Sequence, residues 1–286
     1  MTPPTIQRIP VTGGVSLHVR TWAGNGAPCV LVHGLASNAR LWDGVARRLA
    51  AAGHAVAAVD QRGHGLSDKP DDGYDYTTVS ADLTSLIDSL GYDRPLVAGQ
   101  SWGASVVMEL AIRHPGHARA VACVDGGTME LSRPFPTWEA ALVALTPPRL
   151  TGEKATDMEL LLRRFHPDWP DEGIAGSMAN FEIRSDGTVA PWLSIERHLA
   201  ILRHLWEYHP AERYPLLTCP VLLIPADRAG PGGDRDERLR AIGEAEKLIP
   251  GPVVTRPIVG DHDLHAQHPD EVAELLSAAA TGRLFT

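Results

Sequence analysis

Ser101 lies in Gly99-Gln100-Ser101-Trp102-Gly103, between the apolar run "PLVA" and the helix-like run "ASVVMELAIR". A serine hydroxyl attacks a carbonyl carbon only when a base takes its proton and fixed donors receive the charge that develops on oxygen. The small residues around Ser101 allow a sharp strand-to-helix turn that stands the serine proud of a sheet in a strained conformation. Glycine and serine are common, so the pattern gains its meaning from that strand-to-helix setting; the competing reading is a structural turn serine.

Bases and donors lie elsewhere in the chain. The segment "GDHDLHAQHPDEVAELL" offers His262, His265 and His268. His262 comes first after an apolar run, in a loop from which a ring reaches over a sheet edge to Ser101. His265 is the reserve candidate, and His268, just before Pro269, reads as a capping or surface residue. In "CVLVHGL", Gly34 permits close backbone approach, so the N–H groups of Leu35 and Trp102 together face an oxyanion. His33 reads as a structural hydrogen-bonding residue.

Positioning these groups requires strands that end side by side. "PCVLVHG", "HAVAAVD", "PLVAGQS" and "AVACVDGG" are short apolar runs ending at or beside Gly, Asp or Ser, as strands buried on both faces of a parallel sheet do. Between them, Val79, Leu83, Leu86, Ile87 and Leu90 mark one face of a helix over 77–90 that Gly91 stops. Segments 38–52 and 104–113 behave similarly, and "TIQRIPV" with "SLHVRTW" reads as an opening antiparallel hairpin. This is an α/β alternation. It halts near Met129 and resumes near Pro220; the interval holds Trp138, Trp169, Trp192 and Trp206 and reads as a mostly helical insertion. One more strand ("PVLLIPAD"), a helix over 237–248, a last strand "VVTRPIV" and a helix opened by Pro269 complete the expected order.

The bulk properties narrow the partners. A chain of 286 residues with 44% apolar content buries one large core plus an insertion. With 26 Lys and Arg against 35 Asp and Glu, a net charge of −9 and no basic block, nucleic acid and anionic membranes are not the expected partners. "MTPPTIQRIP" lacks the apolar stretch of a signal peptide, and no run approaches the roughly 18–20 residues of a membrane span, so a cytoplasmic location is expected. Cys29, Cys123 and Cys219 sit in or beside apolar runs without paired spacing and read as buried thiols rather than metal ligands. Neither a metal nor a cofactor is expected.

Taken together, "HGLASNARLW", "DQRGHGLSDKP" with "YTTVSADLTSLIDSLG", "GQSWG" and "GDHDLHAQHP" resemble the α/β-hydrolase superfamily, in the subgroup of small esterases, lactonases and proline iminopeptidases. The resemblance implies an eight-stranded, mostly parallel sheet flanked by helices. Residues 1–128 and 216–286 would form the core, and 129–215 a helical cap. It further implies Ser101 as nucleophile, His262 as base and then acid, and Leu35 with Trp102 as oxyanion hole. His262 precedes Pro269 by seven residues, as the family's histidine usually does. His64, in "GHG", takes a structural role.

The triad acid departs from the family's usual place. Where a G-x-x-D turn is common, this chain reads "PADRAG", with Ala226 in place of the glycine and Ala229 at the usual acid position. Asp125, ending "AVACVD", is the favoured substitute, as in haloalkane dehalogenases; Asp227 is the alternative. Haloalkane dehalogenases and epoxide hydrolases of this fold attack with Asp, so Ser101 argues for acyl transfer on an ester, lactone or thioester. Carbon–carbon bond hydrolysis by the same fold and a non-catalytic, receptor-like role are the alternatives. A pocket of apolar character is expected from His33, Gly34, Trp138, Trp192 and Trp206, taking a small-molecule substrate.

Overall fold

Short runs rich in Val, Ala and Leu that end near glycine, aspartate or serine form the strands, and apolar residues recurring every three or four positions form the helices. The computed structural model describes residues 3–228 and 233–286. The chain opens with β1 (Thr5–Pro10), β2 (Ser16–Trp22), β3 (Gly26–Val32), α1 (Asp43–Ala51), β4 (His54–Val59), α2 (Tyr76–Leu90), β5 (Leu96–Gln100), α3 (Trp102–Arg113) and β6 (Ala120–Val124). Then follow α4 (Trp138–Leu145), α5 (Ala155–Phe165), α6 (Asp171–Met178), β7 (Phe181–Ile183), β8 (Val189–Pro191), α7 (Ile195–Trp206) and α8 (Pro210–Arg213). The chain returns through β9 (Val221–Ile224), β10 (Ala226–Asp227), α9 (Gly233–Leu248), β11 (Val253–Thr255), β12 (Ile258–Val259), α10 (Leu264–Gln267) and α11 (Pro269–Ala280).

Eight strands form the main sheet in the order β1-β2-β4-β3-β5-β6-β9-β11. β2 pairs antiparallel with both β1 and β4, and the other neighbours run parallel. This is the mostly parallel sheet expected from the sequence. On one face Leu83 and Leu86 of α2 and Val106 and Met108 of α3 are buried; on the other, Val45 and Leu49 of α1 and Val272 and Leu276 of α11. Each such side chain contributes roughly 1.5–3 kcal/mol by leaving water, which makes the sheet a fixed platform. Because β3, β5 and β6 are parallel and in register, with Val32 beside Gly99 and Gln100 beside Val124, they end at one edge. His33, Ser101 and Asp125 follow those ends directly.

Three local departures from the sequence reading have physical causes. The helix expected over 38–52 begins as a 3₁₀ turn over Ala39–Trp42, whose Asn38 side chain accepts from the Arg40 N–H. The last expected strand is split: Thr255 ends β11, Pro257 has no N–H to donate, and β12 pairs instead with β10, which Pro225 likewise separates from β9. Between β6 and β9 helices are the main regular elements, but the chain also holds the β7–β8 hairpin. Its turn is closed by Arg184 and Gly187, and Asp186 accepts from both the N–H and the hydroxyl of Thr188. Gly187 sits there at φ 78°. Asp-Gly at the turn was the available signal. Among the described residues no helix is long and apolar enough to cross a membrane.

Candidate active site

Ser101 stands between β5 and α3 with φ 53° and ψ −121°, a backbone region that costs a non-glycine residue on the order of 1–3 kcal/mol. Its neighbours over-determine that shape. The Ser101 N–H donates to the Val124 carbonyl at 3.1 Å, and its carbonyl accepts from the Ala104 N–H at 3.0 Å. A Cβ on Gly99 would lie 2.1 Å from the Gly103 carbonyl oxygen, and one on Gly103 would lie 2.5 Å from that of His33, so neither position admits a side chain. The turn therefore interlocks with the end of β3.

The turn after β3 is held by two buried imidazoles. His33 donates through Nδ1 to the Gly34 carbonyl at 2.7 Å and accepts through Nε2 from the Gln61 N–H at 3.0 Å. His64 donates through Nδ1 to the Arg62 carbonyl at 3.0 Å and accepts through Nε2 from the Ala36 N–H at 3.2 Å. Burial pushes both pKa values down, so both rings stay neutral and their tautomers are fixed by these partners. The result is a rigid Gly34-Leu35-Ala36 turn, with Ala36 at φ 57°, facing the serine. The fit is tight: a Cβ on Gly34 would come 3.0 Å from the Ser101 Cβ. Trp102 is buried, and its ring stacks on His64 with centroids 5.7 Å apart.

His262 and Asp125 meet across the loops after β12 and β6. His262 Nδ1 lies 2.6 Å from Asp125 Oδ2, and Asp125 Oδ1 accepts from the Ala226 N–H at 3.0 Å. Burial by itself would lower the His262 pKa, but the Asp125 bond and the charges of Asp263 and Asp125 raise it overall. Burial would raise that of Asp125, and the His262 bond, the Ala226 N–H and Arg228 bring it below the usual carboxylate range. Asp227, the alternative acid, has its carboxylate 3.5 Å from Arg235 and makes no bond with His262, whose Nδ1 is taken by Asp125. Ala229 lies outside the described residues.

The other two histidines separate from His262. His265 is fully buried, its ring 4.3 Å from that of Trp42, and burial brings its pKa down to about 3. It stays neutral and is not among the residues that line the cavity beside Ser101. His268 Nδ1 is 3.6 Å from Glu271 at the start of α11.

Ser101, Asp125, His262 and Leu35 share one cavity of about 690 Å³. Its apolar wall is mostly aliphatic, with Leu131, Leu145, Leu202, Leu205 and Met129 joined by the ring of Tyr214. The expected tryptophan pocket is corrected here. His198, Leu202 and Leu205 fall on one face of α7 and point inward, whereas Trp206 packs at 6.0 Å on Trp138, both under the Arg203 guanidinium, and donates to the Phe135 carbonyl. Trp192 lies under Lys69 at 5.1 Å. These three indoles thus lie on seams where their faces, and for Trp206 also its N–H, find partners. His33 and Gly34 stand behind the wall rather than in it.

Two residues at this site escaped the sequence reading. Gln100 Nε2 donates to the His262 carbonyl at 3.1 Å. Arg228 Nη2 donates to Asp125 Oδ2 at 2.6 Å and lies 3.3 Å from His262 Nδ1. No spacing rule announces either, since their partners are 162 and 103 residues away. A hydroxyl on a strained turn, an imidazole in the same cavity and a carboxylate bonded to that imidazole are the parts needed for nucleophilic acyl transfer.

Residues 29–275 match the profile of the Alpha/beta hydrolase family. Epoxide hydrolase A of Mycobacterium tuberculosis is 37% identical over 140 residues, covering 48% of this chain and 43% of that protein. The 2-(acetamidomethylene)succinate hydrolase of Mesorhizobium japonicum is 35% identical over 113 residues, 40% of each chain, so the matched stretches span less than half of these two curated relatives. A solved E-2-(acetamidomethylene)succinate hydrolase superposes with TM-score 0.77 at 26% identity over 98% of both chains. A thioesterase domain from a curacin biosynthetic pathway, at TM-score 0.74 and 19% identity over 96% of this chain and 99% of its own, shares the fold. With the profile spanning most of its length and the sheet order and edge described above, the chain belongs to the alpha/beta hydrolase family.

Proposed function

We propose that the chain is a serine hydrolase that cleaves a carboxylic ester, lactone or thioester through an acyl-enzyme. Ser101 attacks, His262 takes its proton and returns it to the leaving group, and Asp125 holds the imidazole's tautomer and balances the imidazolium. The N–H groups of Leu35 and Trp102 receive the oxyanion. The segment 129–215 serves as the cap over the cavity.

The observation that carries this reading is the 2.6 Å bond from His262 to Asp125 beside a strained serine in a shared cavity. The relatives' names include epoxide hydrolases and a haloalkane dehalogenase. The resemblance assigns those chemistries an aspartate nucleophile, and this chain carries a hydroxyl. The test is intact-mass analysis after exposure to a small fluorophosphonate. One adduct on the wild type, none on Ser101→Ala and slow formation on His262→Ala are expected; no adduct on folded wild type would refute an activated serine.

A further inference from the structure

Asp125 Oδ2 receives two donors at once, His262 Nδ1 at 2.6 Å and Arg228 Nη2 at 2.6 Å, and the two donors are only 3.3 Å apart. While the imidazole is neutral this sharing is stable. When the imidazole takes the serine's proton it becomes a cation directly beside the guanidinium, which repels it and holds part of the carboxylate it needs. Arg228 is also part of the cavity wall, its side chain 42% exposed, and its Nε and Nη1 have no partner among the described residues. The neighbouring Arg133 is already engaged by Glu130 and Glu244. A guanidinium with unused donors, opening on the cavity beside the reacting groups, is a fork for a carboxylate.

We propose that the substrate carries a carboxylate near its scissile carbonyl and that Arg228 binds it, giving up Asp125 to His262. This deepens the hydrolase reading above and rests on it. The substrate's own charge then completes the alignment of the triad, and neutral analogues leave Arg228 competing with the imidazole. No covalent step is added.

The experiment compares ethyl hydrogen succinate, glutarate and adipate with their diethyl esters, reading ethanol, and acetoxyacetate with its methyl ester, reading acetate, on wild type, Arg228→Gln and Arg228→Lys. Wild type should favour the anionic member of at least one pair by about 10- to 100-fold in kcat/KM, the scale of a charge-assisted bond. Arg228→Gln should lose that preference while its kcat on the neutral member rises, a sign that general damage to the site would not produce. Arg228→Lys should keep part of the preference. Fluorophosphonate labelling of Ser101 without an anionic preference in any pair overturns the Arg228 assignment alone. Neither labelling nor turnover overturns the hydrolase reading beneath it.

Discussion

Gln100, the residue before Ser101, donates its side-chain amide to the main-chain carbonyl of His262 at 3.1 Å. The position inside the G-x-S-x-G turn that sequence leaves variable is therefore what joins the turn that carries Ser101 to the loop that carries His262. The same loop is gripped from the other side: Trp169 Nε1 and His166 Nδ1 both reach Asp261 Oδ2, at 2.9 and 3.2 Å. The loop that carries His262 is thus tied both to the sheet edge and to the segment between β6 and β9.

Removing that link should cost turnover rather than binding. Gln100→Leu keeps the volume but leaves the His262 carbonyl without its donor, and the ring's position relative to Ser101 loosens. We expect kcat to fall about 10- to 100-fold, the scale of a small misplacement of a reacting group, with KM little changed. Gln100→Glu should be worse, because it sets a second acceptor against that carbonyl. Steady-state kinetics on a serviceable ester would check the order, and equal activity of the two variants would show that Gln100 only fills space.

The carboxylates give a sharper comparison. Asp125→Asn preserves the acceptor for the Ala226 N–H but fixes the wrong partner for His262 Nδ1, and should lower kcat by about 10⁴. Asp227→Asn disturbs only an exposed contact with Arg235 and should leave kcat within about twofold, as surface ion pairs generally do. Equal losses at both positions would mean that the acid is not Asp125 alone.

Which of these features could be read from the chain depended on whether they were local. The strands β5 and β6 and the second half of β3 are continuous buried runs, and the residues following them, Leu35, Ser101 and Asp125, inherit their place from the parallel sheet. His262 was legible because the loop after the last strand must return to that same edge. The lining of the cavity was not, because composition shows that Trp138 and Trp206 are apolar but not which way α7 faces; a one-residue rotation separates Leu205 on the wall from Trp206 on the seam. Arg228 and Gln100 act through partners distant in sequence, so only the fold reveals them.

The pH dependence follows from the direction in which His262 is shifted. Burial works to lower its pKa, and the Asp125 bond with the Asp263 and Asp125 charges outweighs it, so the folded value stands above that of an ordinary histidine. Only the neutral ring accepts the serine's proton. The rate of Ser101 labelling should therefore rise with pH through a midpoint above the usual histidine value. Stability runs the other way: a group that binds protons more tightly when folded stabilises most below its unfolded pKa, and that contribution disappears as pH rises through the folded one. His262 should thus become a proton acceptor over the interval in which its imidazolium stops supporting the fold. In Asp125→Asn the largest opposing influence is gone and burial prevails, so the labelling midpoint should move toward acid even though the plateau rate is low. Labelling rates between pH 5 and 9, measured on both proteins, would settle it, and a wild-type midpoint at or below the ordinary histidine value would contradict the assigned partnership.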